Sequence, residues 1–307
     1  MERGEAETVK KLYHYPSMFF LTIFSVILLI LLEITMFVNL VLLNPKIYSE
    51  TIGKYDVGSS VYKELTEYFV QFSAPTGIPA EVFNDHIDKS VLTNSAYQLT
   101  EDSVKYLSDP NAPEPQIHYD FTDIDASVNG YIEQFNEENS VEMDEETEKL
   151  IGNTINVVHS QIESKLDVMM IYSIAKSPAA ASIHKYSSML KYLMYASGAA
   201  FLVCVIIMIV IDRRHPRDLP YWFGAVCFSS ALIILIPSLY LQKTKYFTGF
   251  FMRNEHIYKS VTGLCERLLS YITDAQFIML LIGVALILIT LMIHGVYVKY
   301  VRKRHHR

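Results

Sequence analysis

An apolar run at 17–43, SMFFLTIFSVILLILLEITMFVNLVLL, is broken by a single acid, Glu33. As a helix it reaches about 40 Å, longer than the roughly 30 Å hydrocarbon core of a bilayer, so a chain that carries it is built around a membrane. Three more runs, 190–211, 219–241 and 276–297, are long enough to span. Between the first and second lies a polar stretch, 44–189. From 44 to 187 it holds 24 Asp/Glu against 9 Lys/Arg, a net of −15, while the whole chain carries only −7. The 51% hydrophobic composition therefore averages two kinds of segment. The pattern predicts an all-α membrane protein: four transmembrane helices, with an all-α extracytoplasmic domain inserted between the first and second.

Basic residues near the ends of the runs set the expected direction. Arg3, Lys10 and Lys11 precede the first run. Arg213, Arg214 and Arg217 lie in the link 212–218. Lys299, Arg302, Lys303, Arg304 and Arg307 lie in the tail 298–307. In a four-span layout these segments share one side, which makes 1–16, the link and the tail cytoplasmic. The domain 44–189 and the link 242–275 then face outward, and the expected location is the cell membrane. The first run is read as an uncleaved signal anchor, because it exceeds a signal core in length and no small-x-small cleavage pattern follows it.

Within 44–189 the dominant period is helical. A helix is expected near 60–73, with Tyr62, Leu65, Phe69 and Phe72 on its buried face. Another begins at Pro79 and carries Phe83, Ile87 and Val91. A short one capped by Thr100 carries Val104 and Leu107, and a proline-rich loop follows at 109–116. Helices at 122–137 and 143–176 come next, the second with a heptad-like seam of Ile151, Ile155, Val158, Ile162, Leu166 and Met169. From Pro178 a helix is expected to run unbroken into the second span. The outward link 242–275 reads as aromatic and interfacial at first, then as an amphipathic helix with Val261, Leu264, Leu268 and Ile272 in its stripe. In the second span, Ser197, Gly198, Ala199 and Ala200 permit close helix approach. All three cysteines, Cys204, Cys227 and Cys265, lie outside 44–189, which excludes a disulfide staple or cysteine zinc site there.

Glu33 is the sharpest candidate for chemistry, since an ionisable group inside a span is costly. It is a site for a proton, a cation or a ligand headgroup, set against the plainer reading of a neutral carboxyl hydrogen-bonded to a neighbour. Tyr195 and Ser197 are polar candidates at compatible depth in the second span. Asp120, Asp123 and Asp125 in DFTDID, with Glu142 to Glu148, form a weaker cation-binding candidate. Their spacing misses the calcium-loop pattern, and a solvated acidic helix face explains them as well. The sequence has no G-x-S-x-G, H-E-x-x-H, C-x-x-C or phosphate loop. No catalytic residue, metal or cofactor is expected. The leading expectation is a non-enzymatic scaffold or accessory subunit. Its partners are the lipid bilayer and a protein held through 44–189; nucleic acid is not among them.

One span, a large outer domain and three further spans resemble the layout of the MacB and FtsX type of ATP-driven permease. The likeness is one of layout and covers no motif. It implies a transport-related permease subunit as the alternative, although the link DRRHPRD leaves no room for the coupling segment those proteins use between their second and third spans. An enzyme acting on lipid or cell-wall substrates is a further alternative, with Glu33, Tyr195 and the start of the link 242–275 as its only polar groups near the outer membrane surface.

Overall fold

The computed structural model describes residues 2–140, 145–213 and 216–305, with side chains described from 16 to 296 except at 141–144, 146 and 214–215. The chain is 84% helix, with no strand among the described residues. Among the described residues four helices are long and apolar enough to cross a membrane: Pro16–Leu42, Ala179–Ile211, Leu219–Lys243 and Glu255–Val296. The chain divides into two compact units, an apolar one of Met1–Leu42, Ser188–Tyr246 and Leu268–Arg307, and a polar one of Leu43–Ser187 and Phe247–Arg267.

In the apolar unit, α1 (Glu2–Phe37) runs straight through Pro16, where the sequence predicts a helix start. An internal proline costs one backbone hydrogen bond, and the apolar run beyond it outweighs that loss. The helix then loosens into a π-helical turn, Val38–Leu42, with the Asn39 amide donating to the Thr35 carbonyl at 2.8 Å. α9 (Ala179–Ile211) is the unbroken 33-residue helix that the punctuation at Ser177-Pro178 predicts. α10 (Leu219–Lys243) packs on α1 and crosses α11 (Glu255–His305) closely at two glycines. A Cβ at Gly224 would lie 2.9 Å from the Gly283 carbonyl oxygen, and one at Gly283 would lie 2.7 Å from the Phe228 nitrogen. The expected small-residue contact in the second span is looser. A Cβ at Gly198 would meet only the Leu32 side chain, at 3.6 Å. Small residues permit approach, but close contact also needs a small residue opposite.

In the polar unit, α2 (Pro45–Lys54) is capped by the Asn44 side chain, and α3 (Val57–Thr76) ends at Gly77, whose φ of 72° suits glycine. Phe83 on α4 (Ala80–Asn84) stacks on Phe69 at 4.9 Å in the core. Asp88 caps α5 (Lys89–Ser108) by accepting from the Ser90 and Val91 amides. Two expectations are corrected here. The Phe83-Ile87-Val91 helix breaks at 85–88, and Thr100 is buried inside α5 rather than capping a shorter helix. After α6 (Thr122–Asn139), the helix expected at 143–176 divides into α7 (Glu145–Leu166) and α8 (Ile171–Lys176); residues 143 and 144 lie outside the described residues. Met170 turns the chain at φ 58°, and the Asp167 carboxylate accepts from the Tyr172 and Ser173 amides at 3.0 and 2.9 Å. A local carboxylate cap thus ends the seam that apolar spacing alone would carry on. Leu65, Phe69, Leu99, Ile124, Ile162 and Leu166 are among the core side chains, each contributing about 1.5–3 kcal/mol by burial.

The first three turns of α11 complete this unit through a polar face. His256, Ser260 and Gly263, at i, i+4 and i+7, are buried, while Val261 and Leu264 of the expected apolar stripe are half-buried. The Ser260 hydroxyl donates to the Val168 carbonyl, Lys259 donates to Ser60 at 2.9 Å, and Arg267 pairs with Glu50. Gly263 is required by the ring of Tyr55, which a Cβ there would meet at 2.6 Å.

Candidate functional sites

Glu33 lies on α1, five residues before the π-helical segment begins at Val38. The Gln276 amide of α11 donates to its Oε2 at 3.2 Å, and the Ser230 hydroxyl of α10 reaches its Oε1 at 3.5 Å. The Ser230 hydroxyl has only one proton, and the Cys227 carbonyl lies closer, at 3.1 Å. Glu33 thus holds one good hydrogen bond and one weak one, both from neutral donors. It lines a cavity of about 500 Å³ whose walls are otherwise almost wholly apolar, among them Leu29, Phe37, Leu40, Ile234 and Met279. Gln276 also lines it. That residue is 5% exposed, and its Oε1 is buried without a hydrogen-bond partner.

The other polar candidates from the sequence sit elsewhere. Ser197 is buried and donates to the Met194 carbonyl of its own helix at 3.1 Å, while Tyr195 is 70% exposed. Neither lines the Glu33 cavity. Ser230 and Gln276 were missed by sequence reasoning. Ser230 follows Ser229 inside an apolar run and Gln276 stands near Asp274 at the edge of another, marks too common to single out without knowing which helices touch.

The three aspartates of DFTDID serve separate purposes. Asp120 lies just before the α6 N-cap, Phe121, and accepts from the Thr122 hydroxyl and amide at 2.6 and 3.0 Å, bonds that lower its pKa. Asp125 pairs with His159 at 2.7 Å, and Asp123 faces a shallow pocket beside His86 and Lys89. Among the described residues no three His, Cys, Asp or Glu side chains are placed to hold a metal ion. The structure thus brings no such ligand set together around Asp120, Asp123 and Asp125 among the described residues. Of Glu142 to Glu148, residues 142–144 lie outside the described residues. For Asp120 the reason is local: a carboxylate just before a helix is taken first by the neighbouring backbone.

A tightly held charge in the polar unit that the sequence did not single out is Glu64 on α3. Its Oε2 accepts from Lys165 at 2.6 Å and from His256 Nδ1 at 2.8 Å, and its Oε1 accepts from the His256 backbone amide at 3.0 Å. Burial works against the charge, but the hydrogen bonds from Lys165 and from the amide and ring of His256 outweigh it and hold the carboxyl down at about 2. Since the carboxylate can only accept, Nδ1 of His256 carries the proton, and its Nε2 is buried without a hydrogen-bond partner. This centre ties α3, α7 and α11 together.

The heptad-like seam of α7 is only half used. Val158, Ile162 and Leu166 are fully buried, whereas Leu150 is 61% exposed and Ile151 and Ile155 are half-buried. On α6, Phe135 is 49% exposed. Glu133, Glu137 and Glu138 of α6 and Glu145 and Glu148 of α7 share the same ends of these helices.

No protein-family model, no curated protein and no solved structure matches the chain.

Proposed function

We propose that this chain is a multi-pass protein of the cell membrane and acts as a non-enzymatic scaffold or accessory subunit. In this reading both termini are cytoplasmic, the polar unit lies outside, and the distal part of α6 and α7 receives a protein partner. The single observation that carries the reading is the unfinished seam of α7, where Ile151 and Ile155, on the line that Val158 and Ile162 bury, are only half-buried and Leu150 beside them is exposed. An apolar stripe of this kind, on helices that also carry Glu133, Glu137, Glu145 and Glu148, suits a partner helix with one apolar and one basic face. The positive charge at Arg213 and Arg217 of the short link and in the tail supports the orientation.

Two measurements test it. A cysteine at Asn111, in an exposed loop, is expected to react with a membrane-impermeant thiol reagent in intact cells; reaction only after lysis overturns the orientation. A photo-crosslinker at position 150 is expected to capture a discrete protein in cells, and Phe135→Asp is expected to weaken the capture without lowering the Tm of the purified chain. No adduct from position 150, or one indifferent to Phe135→Asp, overturns the docking face.

A further inference from the structure

We infer that the cavity beside Glu33 binds an amphiphile with an ammonium head and a hydrocarbon body, taken from the bilayer. The argument starts with charge. Among the described residues that line the cavity there is no Lys, Arg or His, so the carboxyl of Glu33 meets no cation from the chain. Its two donors are the neutral Gln276 amide at 3.2 Å and the Ser230 hydroxyl at 3.5 Å, the latter better placed for the Cys227 carbonyl. A carboxylate has about four acceptor positions, so most of the capacity of Glu33 is unused.

The second observation is independent of Glu33. Gln276 is 5% exposed, lines the same cavity and keeps a buried Oε1 with no donor. Two acceptors side by side, the Glu33 carboxylate and the Gln276 carbonyl, select a head that brings several N–H groups; an ammonium brings three, together with the missing charge. The rest of the cavity selects the body. From Leu29 to Val41 its α1 wall runs for about 18 Å along the helix, and apart from Glu33 its α1 residues are apolar. A volume of about 500 Å³ falls in the range of small-molecule sites rather than packing defects. The α1 wall ends in the π-helical turn, where Leu40 and Val41 line the cavity; such turns often mark functional sites.

The test uses the full chain in nanodiscs and three photoactivatable probes of equal chain length: a primary amine, an alcohol and a carboxylic acid. The amine is expected to label peptides that contain Leu29–Val41 or Tyr271–Met279. Glu33→Gln is expected to reduce that labelling by roughly tenfold or more, as loss of a charge-assisted hydrogen bond implies. Ala275→Trp, which keeps the carboxyl and fills the cavity, is expected to abolish it, so the result does not hang on one variant. Equal labelling by amine and alcohol overturns the ammonium assignment. Amine labelling unchanged in both variants, or absent from these peptides in the unaltered chain, overturns the site.

Discussion

Two partly buried glutamates, one in each unit, are treated in opposite ways. Glu64 in the polar unit is surrounded by Lys165 and by the ring and amide of His256, at 2.6–3.0 Å. Glu33 in the apolar unit has an amide and a hydroxyl at 3.2 and 3.5 Å and no cation among the cavity-lining residues. The first arrangement spends the carboxylate on holding three helices together. The second leaves acceptor capacity free. The comparison teaches that a buried acid is informative only with its partners: one fully answered by a lysine and close N–H donors is structural, and one answered weakly by neutral donors is open to a ligand.

The comparison is broken or sharpened most directly by making the same change in both places. Glu64→Gln is expected to destabilise the chain by about 3 kcal/mol, because it leaves Lys165 without its carboxylate in a mostly buried position; denaturant unfolding of the solubilised full chain, followed by circular dichroism, measures it. The same centre should show in the pH dependence. The folded pKa of Glu64 is depressed from 4.5 to about 2, so its contribution is complete above 4.5 and is lost as the pH falls toward 2. The Tm of the unaltered chain should decline across that window, and Glu64→Gln should remove part of the decline.

In the apolar unit stability rests on shape instead. Gly283→Ala is expected to cost about 2 kcal/mol, since its methyl would meet the backbone of α10 at 2.7 Å; a lowered Tm and a broadened gel-filtration peak are the readouts. Asp167→Ala removes the carboxylate that starts α8 and should cost about 1 kcal/mol, read by denaturant unfolding. The smallest effects are expected at the two positions read as functional. Glu33→Gln and Leu150→Ser should each change stability by less than about 0.5 kcal/mol, because neither side chain holds a charged partner or fills a core. A large loss from Glu33→Gln, equal to that from Glu64→Gln, would make Glu33 a structural acid as well.

The legible part of the fold follows from local rules. The unbroken α9 could be read from Ser177-Pro178 and the apolar run after it, and α6 from the spacing of Ile124 and Val128. The break at Asp167–Met170 was hidden, because a carboxylate cap and one left-handed residue leave the apolar period on either side intact. The docking face of α11 was hidden for another reason. His256, Ser260 and Gly263 are polar or small, so a search for apolar stripes favoured Val261 and Leu264 instead. Of the candidate membrane site, Glu33 stood out as a single acid in an apolar run, while the residues that answer it did not.

By itself the sequence determined the helical class, the four apolar helices and the separation of acidic from basic segments. These depend on run length and local composition, which add up along the chain without reference to distant residues. Only the tertiary structure decided that Glu33 meets Ser230 and Gln276, 197 and 243 positions away, that Glu64 is gripped by Lys165 and His256, and that Gly224 crosses Gly283. A polar contact needs just one donor and one acceptor, and a close crossing just one glycine on each helix. Neither leaves a periodic mark, so neither can be found before the helices are packed.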